Sequence, residues 1–90
     1  MSSEAIIYKY PLETFTDDIE LPKGAVFLAA ECQNDTPVMW FRVHADNDKE
    51  IRTFSLIGTG QSFNPTGTRY LATIMHGAFI WHLHETRTTK

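Results

Sequence analysis

The histidines are the residues whose type and spacing come nearest to a metal site. His82 and His84 are two positions apart, which places both on the same face of a strand, and this spacing occurs in metal sites. His44 is the best candidate for a third ligand, whereas His76 falls in a turn. No cysteine lies near them in the sequence, so we favour a partly exposed strand face, and we predict neither a metal nor a cofactor.

Glycines in the segment Gly58-Thr59-Gly60-Gln61 raise the possibility of a phosphate site, because their backbone N–H groups can converge on an anion. A nucleotide-binding loop also needs a following helix and further glycines, and neither is present. The simpler interpretation is a turn that ends a strand and needs a positive φ. The irregular segment is nonetheless ten residues long, 58–67, and long loops in compact domains are often functional.

Trp40, Arg42 and Arg52 are the best candidates for contact with a partner, since tryptophan and arginine are enriched at binding hot spots. They would meet on one sheet if the fourth and fifth strands formed a hairpin. The alternative is that Trp40 belongs to the core and that both arginines pair with surface acids. A nucleotide site would have Trp40 or Tyr70 at its base and Arg42, Arg52 or Arg69 at its edge. The backbone of Gly58, Thr59 and Gly60 would lie nearby.

Composition limits the classes of function. The net charge of −3 argues against binding to a nucleic-acid backbone, which needs clustered Lys and Arg. The single cysteine, Cys32, excludes an intramolecular disulfide. We find no signal peptide and no apolar run approaching about 18 residues, so we expect a cytoplasmic protein without membrane contact. No nucleophile elbow or paired-carboxylate motif is present, and we predict that the protein is not an enzyme.

The elements that position these residues are all predicted to be strands. Two alternating, aromatic-rich runs, 70–75 and 78–84, flank His76-Gly77 and are typical of a tight β-hairpin. The other strands follow the same alternation, although residues 14–21 could instead form a helical turn capped by Thr14 or Thr16. The predicted strands span residues 5–10, 14–21, 25–32, 38–44, 50–57, 68–75 and 78–85.

The predicted fold is therefore all-β, a small antiparallel β-sandwich or partly open barrel of five to seven strands. We expect the connections to be mostly those of a meander, and we expect the nearly apolar third strand to be central in its sheet. Residues 1–90 form one domain, with tails at 1–4 and 86–90 that fray. A small β domain with unpaired edges also favours a homo-oligomer, most simply a homodimer.

Several motifs resemble a family of small proteins common in bacteriophage and prophage genomes, labelled as a domain of unknown function. They are Tyr8-Lys9-Tyr10-Pro11-Leu12-Glu13, Leu21-Pro22-Lys23-Gly24-Ala25, Arg52-Thr53-Phe54 with Gly58-Thr59-Gly60, and Gly77-Ala78-Phe79-Ile80-Trp81-His82. The resemblance spans most of the chain. It implies a phage accessory protein and indicates no functional residues.

Taken together, the sequence favours a binding protein that inhibits or modulates a host protein or an anti-phage defence protein. It predicts an exposed aromatic patch, unpaired sheet edges and no deep pocket. The alternative is a protein that binds or sequesters a small ligand such as a nucleotide, which predicts a pocket of about 300 Å³ or more with convergent polar groups. A virion or assembly component is a second alternative.

Overall fold

Alternating apolar and polar residues produce seven strands in the computed structural model, which describes residues 4–87. Side chains on a strand point to opposite faces in turn, so each strand offers one apolar face for burial. No helix is present among the described residues, and thus none that could span a membrane. The strands are β1 (Ile6–Pro11), β2 (Thr16–Pro22), β3 (Val26–Gln33), β4 (Thr36–Val43), β5 (Lys49–Gly58), β6 (Thr68–His76) and β7 (Phe79–Thr86).

The strands form two antiparallel sheets, which we call sheet A and sheet B. Sheet A has the order β1-β4-β3, and sheet B has the order β2-β5-β7-β6. The edge strands β3 and β6 approach each other, whereas β1 and β2 leave the opposite side of the sandwich open. The all-β prediction is confirmed, and the architecture is a small sandwich that is not a closed barrel.

The order of the strands differs from the expected meander. Among the described residues only β3–β4 and β6–β7 are hairpins between neighbours in sequence. The connection from β4 to β5 crosses from sheet A to sheet B, so these strands do not form the hairpin that would have joined Trp40 to Arg52. The alternation of apolar and polar residues predicts that a segment is a strand. It does not predict whether the next strand pairs with it as a hairpin or joins the other sheet.

Three turns owe their geometry to a positive φ. Gly24 has φ +83° in the turn from Pro22 to Ala25, as a type II turn requires. Asn34 and Asp35 have φ 51° and 65° and form the two-residue loop between β3 and β4, as in a type I′ hairpin. The β6–β7 loop consists of Gly77 and Ala78 rather than the expected His76 and Gly77, because His76 pairs with Phe79.

The core lies between the two sheets and is centred on β4 and β5. Met39, Phe41 and Val43 are buried on one face of β4, as their alternation predicts. The rings of Phe41 and Phe54 meet edge to face across the sandwich, with centroids 5.7 Å apart. Further buried side chains from β5, from the other strands and from the connections complete the core, namely Leu12, Leu21, Ala25, Leu56, Ile74 and Leu83.

One further expectation is wrong. The third strand is an edge strand of sheet A rather than a central one, and Val26 and Leu28 are exposed. The predicted second strand is observed at Thr16–Pro22 in place of the alternative helical turn, and it pairs with β5 along its whole length. Of the predicted tails, Thr86 belongs to β7, while residues 1–3 and 88–90 lie outside the described residues.

Candidate functional site

The residues singled out from the sequence lie in three separate regions. Trp40 and Arg42 lie on the outer face of sheet A, because the intervening β4 residues face the core. Arg52 points into the sandwich from sheet B. Tyr70 and Thr59 lie on the outer face of sheet B, where they are linked through Thr73 and His82. The structure therefore does not assemble these residues into the single site that a β4–β5 hairpin would have formed.

Arg52 is held at one end of the core by a bidentate ion pair. Its Nε donates to Glu85 Oε2 at 2.6 Å and its second terminal nitrogen donates to Glu85 Oε1 at 2.9 Å. The remaining terminal nitrogen donates to the carbonyl oxygen of Ala25 at 2.8 Å, and the guanidinium lies 5.3 Å from the Phe41 ring centroid. The hydrogen bond to Glu85 raises the pKa of Arg52, although burial opposes this.

A chain of hydroxyl groups fixes His82 on the outer face of sheet B. Thr59 Oγ1 lies 2.8 Å from His82 Nε2, and Thr73 Oγ1 lies 3.2 Å from Nδ1. Tyr70 continues the chain, with its hydroxyl 2.6 Å from Thr73 Oγ1. Both ring nitrogens of His82 therefore have protein partners, and the hydroxyl network accounts for the position of this side chain.

His84 is buried beside His82 but is covered by aromatic rings. Its Nδ1 donates to the carbonyl oxygen of His82 at 3.1 Å, and the rings of Phe63 and Tyr70 lie 5.0 and 5.7 Å away. His44 lies at the end of β4 in sheet A, where its Nδ1 donates to the carbonyl oxygen of Glu4 at 3.0 Å. Residues 4–87 contain no group of three side chains arranged to hold a metal ion.

The glycine segment forms an ordinary turn at the end of β5. Gln61 N donates to the carbonyl oxygen of Gly58 at 3.0 Å, and Gln61 Oε1 accepts from Gly58 N at the same distance. Gly60 has φ +88°, while Gly58 has no positive φ, which matches a type II turn. Two of the N–H groups that a phosphate would need are thus engaged within the turn.

An apolar groove of about 740 Å³ occupies the end of the sandwich that carries both hairpin loops. We call it the aromatic groove and define it by Phe15, Phe79, Trp81, His76 and Pro37. The Phe79 and Trp81 rings stack at 5.9 Å with an interplanar angle of 21°, and Phe15 lies 5.4 Å from Trp81. The side chains of Phe15 and Phe79 remain 66% and 63% exposed.

Phe15 is exposed, but it lies in a connection between β1 and β2 that several hydrogen bonds hold in place. Asp17 Oδ2 accepts from Glu13 N at 2.9 Å and from Thr14 N at 3.2 Å. Asp17 Oδ1 accepts from the Thr14 hydroxyl at 2.8 Å. The carbonyl oxygen of Phe15 accepts from Leu56 N at 2.9 Å, so the ring is presented from a fixed backbone.

A second concavity, which we call the basic cleft, lies at the opposite end of sheet B and measures about 750 Å³. Its charged lining consists of Lys23, Arg52, Arg69 and Arg87 together with Glu50 and Glu85. Along β5 and β7 the two concavities are four residues apart, from Arg52 to Leu56 and from Glu85 to Trp81. At the rise of a β-strand this separation is about 13 Å.

The aromatic groove was not anticipated from the sequence, although part of its signal was visible. Phe79 and Trp81 alternate on β7, so their common face could be predicted, but alternation does not say whether that face is covered. Phe15 precedes a strand interrupted by acids. Its position beside Trp81 depends on the β2-β5-β7 order, which no local pattern contains.

Comparison with known proteins identifies the family. A family profile described as a domain of unknown function (DUF7352) matches residues 3–90, which is nearly the whole chain. The chain therefore belongs to the DUF7352 family. No curated protein and no solved structure shows significant similarity to it.

Proposed function

We propose that this protein acts by binding another protein, and that the aromatic groove is its contact surface. The observation that carries the proposal is an aromatic cluster in which the rings of Phe15 and Phe79 each contact Trp81 and are themselves mostly exposed. An exposed aromatic cluster in a concave surface is a typical feature of protein-interaction sites.

The rings suit this role because they offer a large apolar area that is already ordered. Each aromatic side chain buries roughly 150–250 Å² when it is covered. Asp17 and Leu56 fix the backbone that carries Phe15, and Trp81 packs against the core. Little conformational entropy is therefore lost when a partner docks, which favours affinity.

The rim of the groove indicates the chemistry of the partner. Glu13 and Asp35 line it, and the Asp35 side chain is 98% exposed, with His76 at 3.8 Å. The carboxylates repel an acidic partner and attract a basic one. We infer that the partner inserts an apolar side chain between the rings and flanks it with Lys or Arg.

The biological setting follows from the resemblance to bacteriophage and prophage proteins. We propose that the chain works in the cytoplasm of a host cell, where it inhibits or modulates a host protein or an anti-phage defence protein. The support for this part is the motif resemblance alone, whereas the groove supports the binding itself.

Selection of a random peptide library on the purified protein tests the groove, because the library samples many partner sequences at once. We expect enriched peptides that share an aromatic or Leu residue flanked by Lys or Arg. Their affinity should fall at least about tenfold in Phe15→Ala and in Phe79→Ala, since a hot-spot ring contributes more than about 1.4 kcal/mol. Both side chains are largely exposed, so neither substitution should lower the melting temperature much.

Phe63→Ala is the matched control, because it removes the same ring from the outer face of sheet B, where Phe63 packs on His84. It should leave peptide binding unchanged. If selection yields no common motif, or if all three variants bind the peptides equally, the aromatic groove is not the contact surface.

We also propose that two copies of the chain associate through the open edge of β1. Ile6, Ile7 and Tyr8 form a consecutive exposed apolar run on this edge, which pairs with no other strand of residues 4–87, and such edges pair readily with a second strand. Light scattering should give the mass of a dimer for the native chain and of a monomer for Ile7→Lys. A monomeric native protein would refute this proposal and leave the groove unaffected.

A further inference from the structure

The basic cleft concentrates positive charge in an acidic protein. Four of the eight Lys and Arg residues of the chain line it, against two carboxylates. The lining thus carries an excess of two positive charges, although the net charge of the protein is −3. Charge gathered in a concave site in this way raises the local concentration of anions.

The charges of the cleft are not all available to a ligand. Glu85 is committed to Arg52 by two hydrogen bonds, and the two side chains are only 13% and 14% exposed. Arg69 reaches Glu85 Oε1 at a longer 3.3 Å and stays 67% exposed. Within residues 4–87, Lys23 and Arg87 form no ion pair, so three cations face the cleft against the one remaining carboxylate, that of Glu50.

Hydrogen bonds hold the backbone beneath two of these cations. Lys23 N donates to the carbonyl oxygen of Asp48 at 2.7 Å, and Asn47 Nδ2 donates to the carbonyl oxygen of Lys23 at 2.9 Å. Arg87 N donates to the carbonyl oxygen of Gly67 at 2.6 Å. Arg69 lies within β6 and pairs with Glu85 of β7. The cleft is therefore lined by residues with fixed backbones rather than by free chain.

We propose that the basic cleft binds a phosphate-bearing small molecule, with Arg69, Arg87 and Lys23 as its ligands. A guanidinium offers a planar pair of donors that matches two phosphate oxygens, and an ammonium adds a point charge. The volume of about 750 Å³ lies within the range of small-molecule sites. The exposed side chain of Ile51 on the wall suits an apolar part of the same ligand.

This site is independent of the aromatic groove. The two occupy opposite ends of β5 and β7, and no residue lines both. It shares Arg52 and Arg69 with the nucleotide site expected from the sequence. It is otherwise a different site, because Trp40, Arg42, Tyr70 and the glycine turn lie outside it. Failure of one proposal therefore leaves the other standing.

Calorimetric titration of the full chain with ATP, tripolyphosphate and inorganic phosphate tests the cleft. We expect ATP and tripolyphosphate to bind more tightly than phosphate, with affinity that falls as ionic strength rises. Equal affinities for ATP and tripolyphosphate would show that phosphate alone is recognised. Tighter binding of ATP would show that the nucleoside also contributes.

The variants Arg69→Gln and Arg87→Gln should each weaken tripolyphosphate binding by about tenfold, the usual effect of one charged hydrogen-bonding group. Arg42→Gln is the matched control, since it changes the net charge equally but lies on the outer face of sheet A, and it should bind normally. Absence of binding at millimolar ligand, or an equal loss in Arg42→Gln, would overturn the proposal. So would binding to a single-stranded oligonucleotide but to none of the three small anions.

Discussion

The ion pair between Arg52 and Glu85 makes the stability of the fold sensitive to a single charge. Both carboxylate oxygens of Glu85 accept hydrogen bonds from Arg52, and only a small part of either side chain is exposed to water. Glu85→Gln keeps the size of the side chain but removes the charge and turns one acceptor into a donor. We therefore expect this substitution to destabilise the protein substantially.

The magnitude follows from what Arg52 retains in the variant. Removing one partner of a fully buried pair costs about 3–5 kcal/mol. Here Arg52 keeps its bond to the Ala25 carbonyl and its position over the Phe41 ring, and some water reaches the cleft. We expect Glu85→Gln to lower the free energy of unfolding by about 2–3 kcal/mol, or the melting temperature by about 8–24 °C.

Urea unfolding of a double-mutant cycle measures this effect. The variants are Arg52→Met, Glu85→Gln and the combination of both. The double variant carries neither charge of the pair, so no buried charge is left without a partner. Its free energy of unfolding should be little lower than that of either single variant, which corresponds to a coupling energy of about 2 kcal/mol. A loss below about 1 kcal/mol in Glu85→Gln, as for an exposed pair, or a coupling energy near zero would refute the reasoning.

Three further predictions concern stability. Burial raises the pKa of Tyr10 above 10.0, so its neutral form is favoured in the fold. This stabilisation is complete below pH 10 and is lost as the pH rises through the folded-state pKa. In urea unfolding at increasing alkaline pH, the free energy of unfolding should therefore fall less for Tyr10→Phe than for the native protein. Gly77→Ala should cost about 1–2 kcal/mol in thermal unfolding because φ is +60°, whereas Gly58→Ala, which has no positive φ and meets only ordinary contacts, should cost less. Asp17→Ala should cost about 1–2 kcal/mol by removing the corner hydrogen bonds beneath Phe15, and hydrogen exchange at Thr14 should accelerate.

The strands could be predicted from local sequence because apolar and polar residues alternate within each of them. The β6–β7 hairpin could be identified from aromatic alternation around a glycine, although its loop is Gly77-Ala78. Alternation along residues 50–57 puts Arg52 on the same face as Phe54 and Leu56, the two residues that form the buried face of β5. A charge on that face indicates a buried partner, so its ion pair could have been suspected.

Neither the identity of that partner nor the two concavities could be predicted from the sequence. Glu85 lies opposite Phe54 because β7 pairs with β5, and this pairing depends on contacts between residues about thirty positions apart. The aromatic groove and the basic cleft likewise gather residues from several strands and loops. Local propensity carries no information on which distant strands become neighbours.

The interior position of β7 determines when sheet B can assemble during folding. β7 hydrogen-bonds to β5 on one side and to β6 on the other, so β6 has no partner in its sheet until β7 is in place. The β6–β7 hairpin is local, but its attachment to β5 requires long-range strand pairing, which is characteristic of slowly folding β-proteins. Shortening the chain within Phe79–Thr86 would leave β6 without a partner in its sheet and would reduce sheet B to the β2–β5 pair.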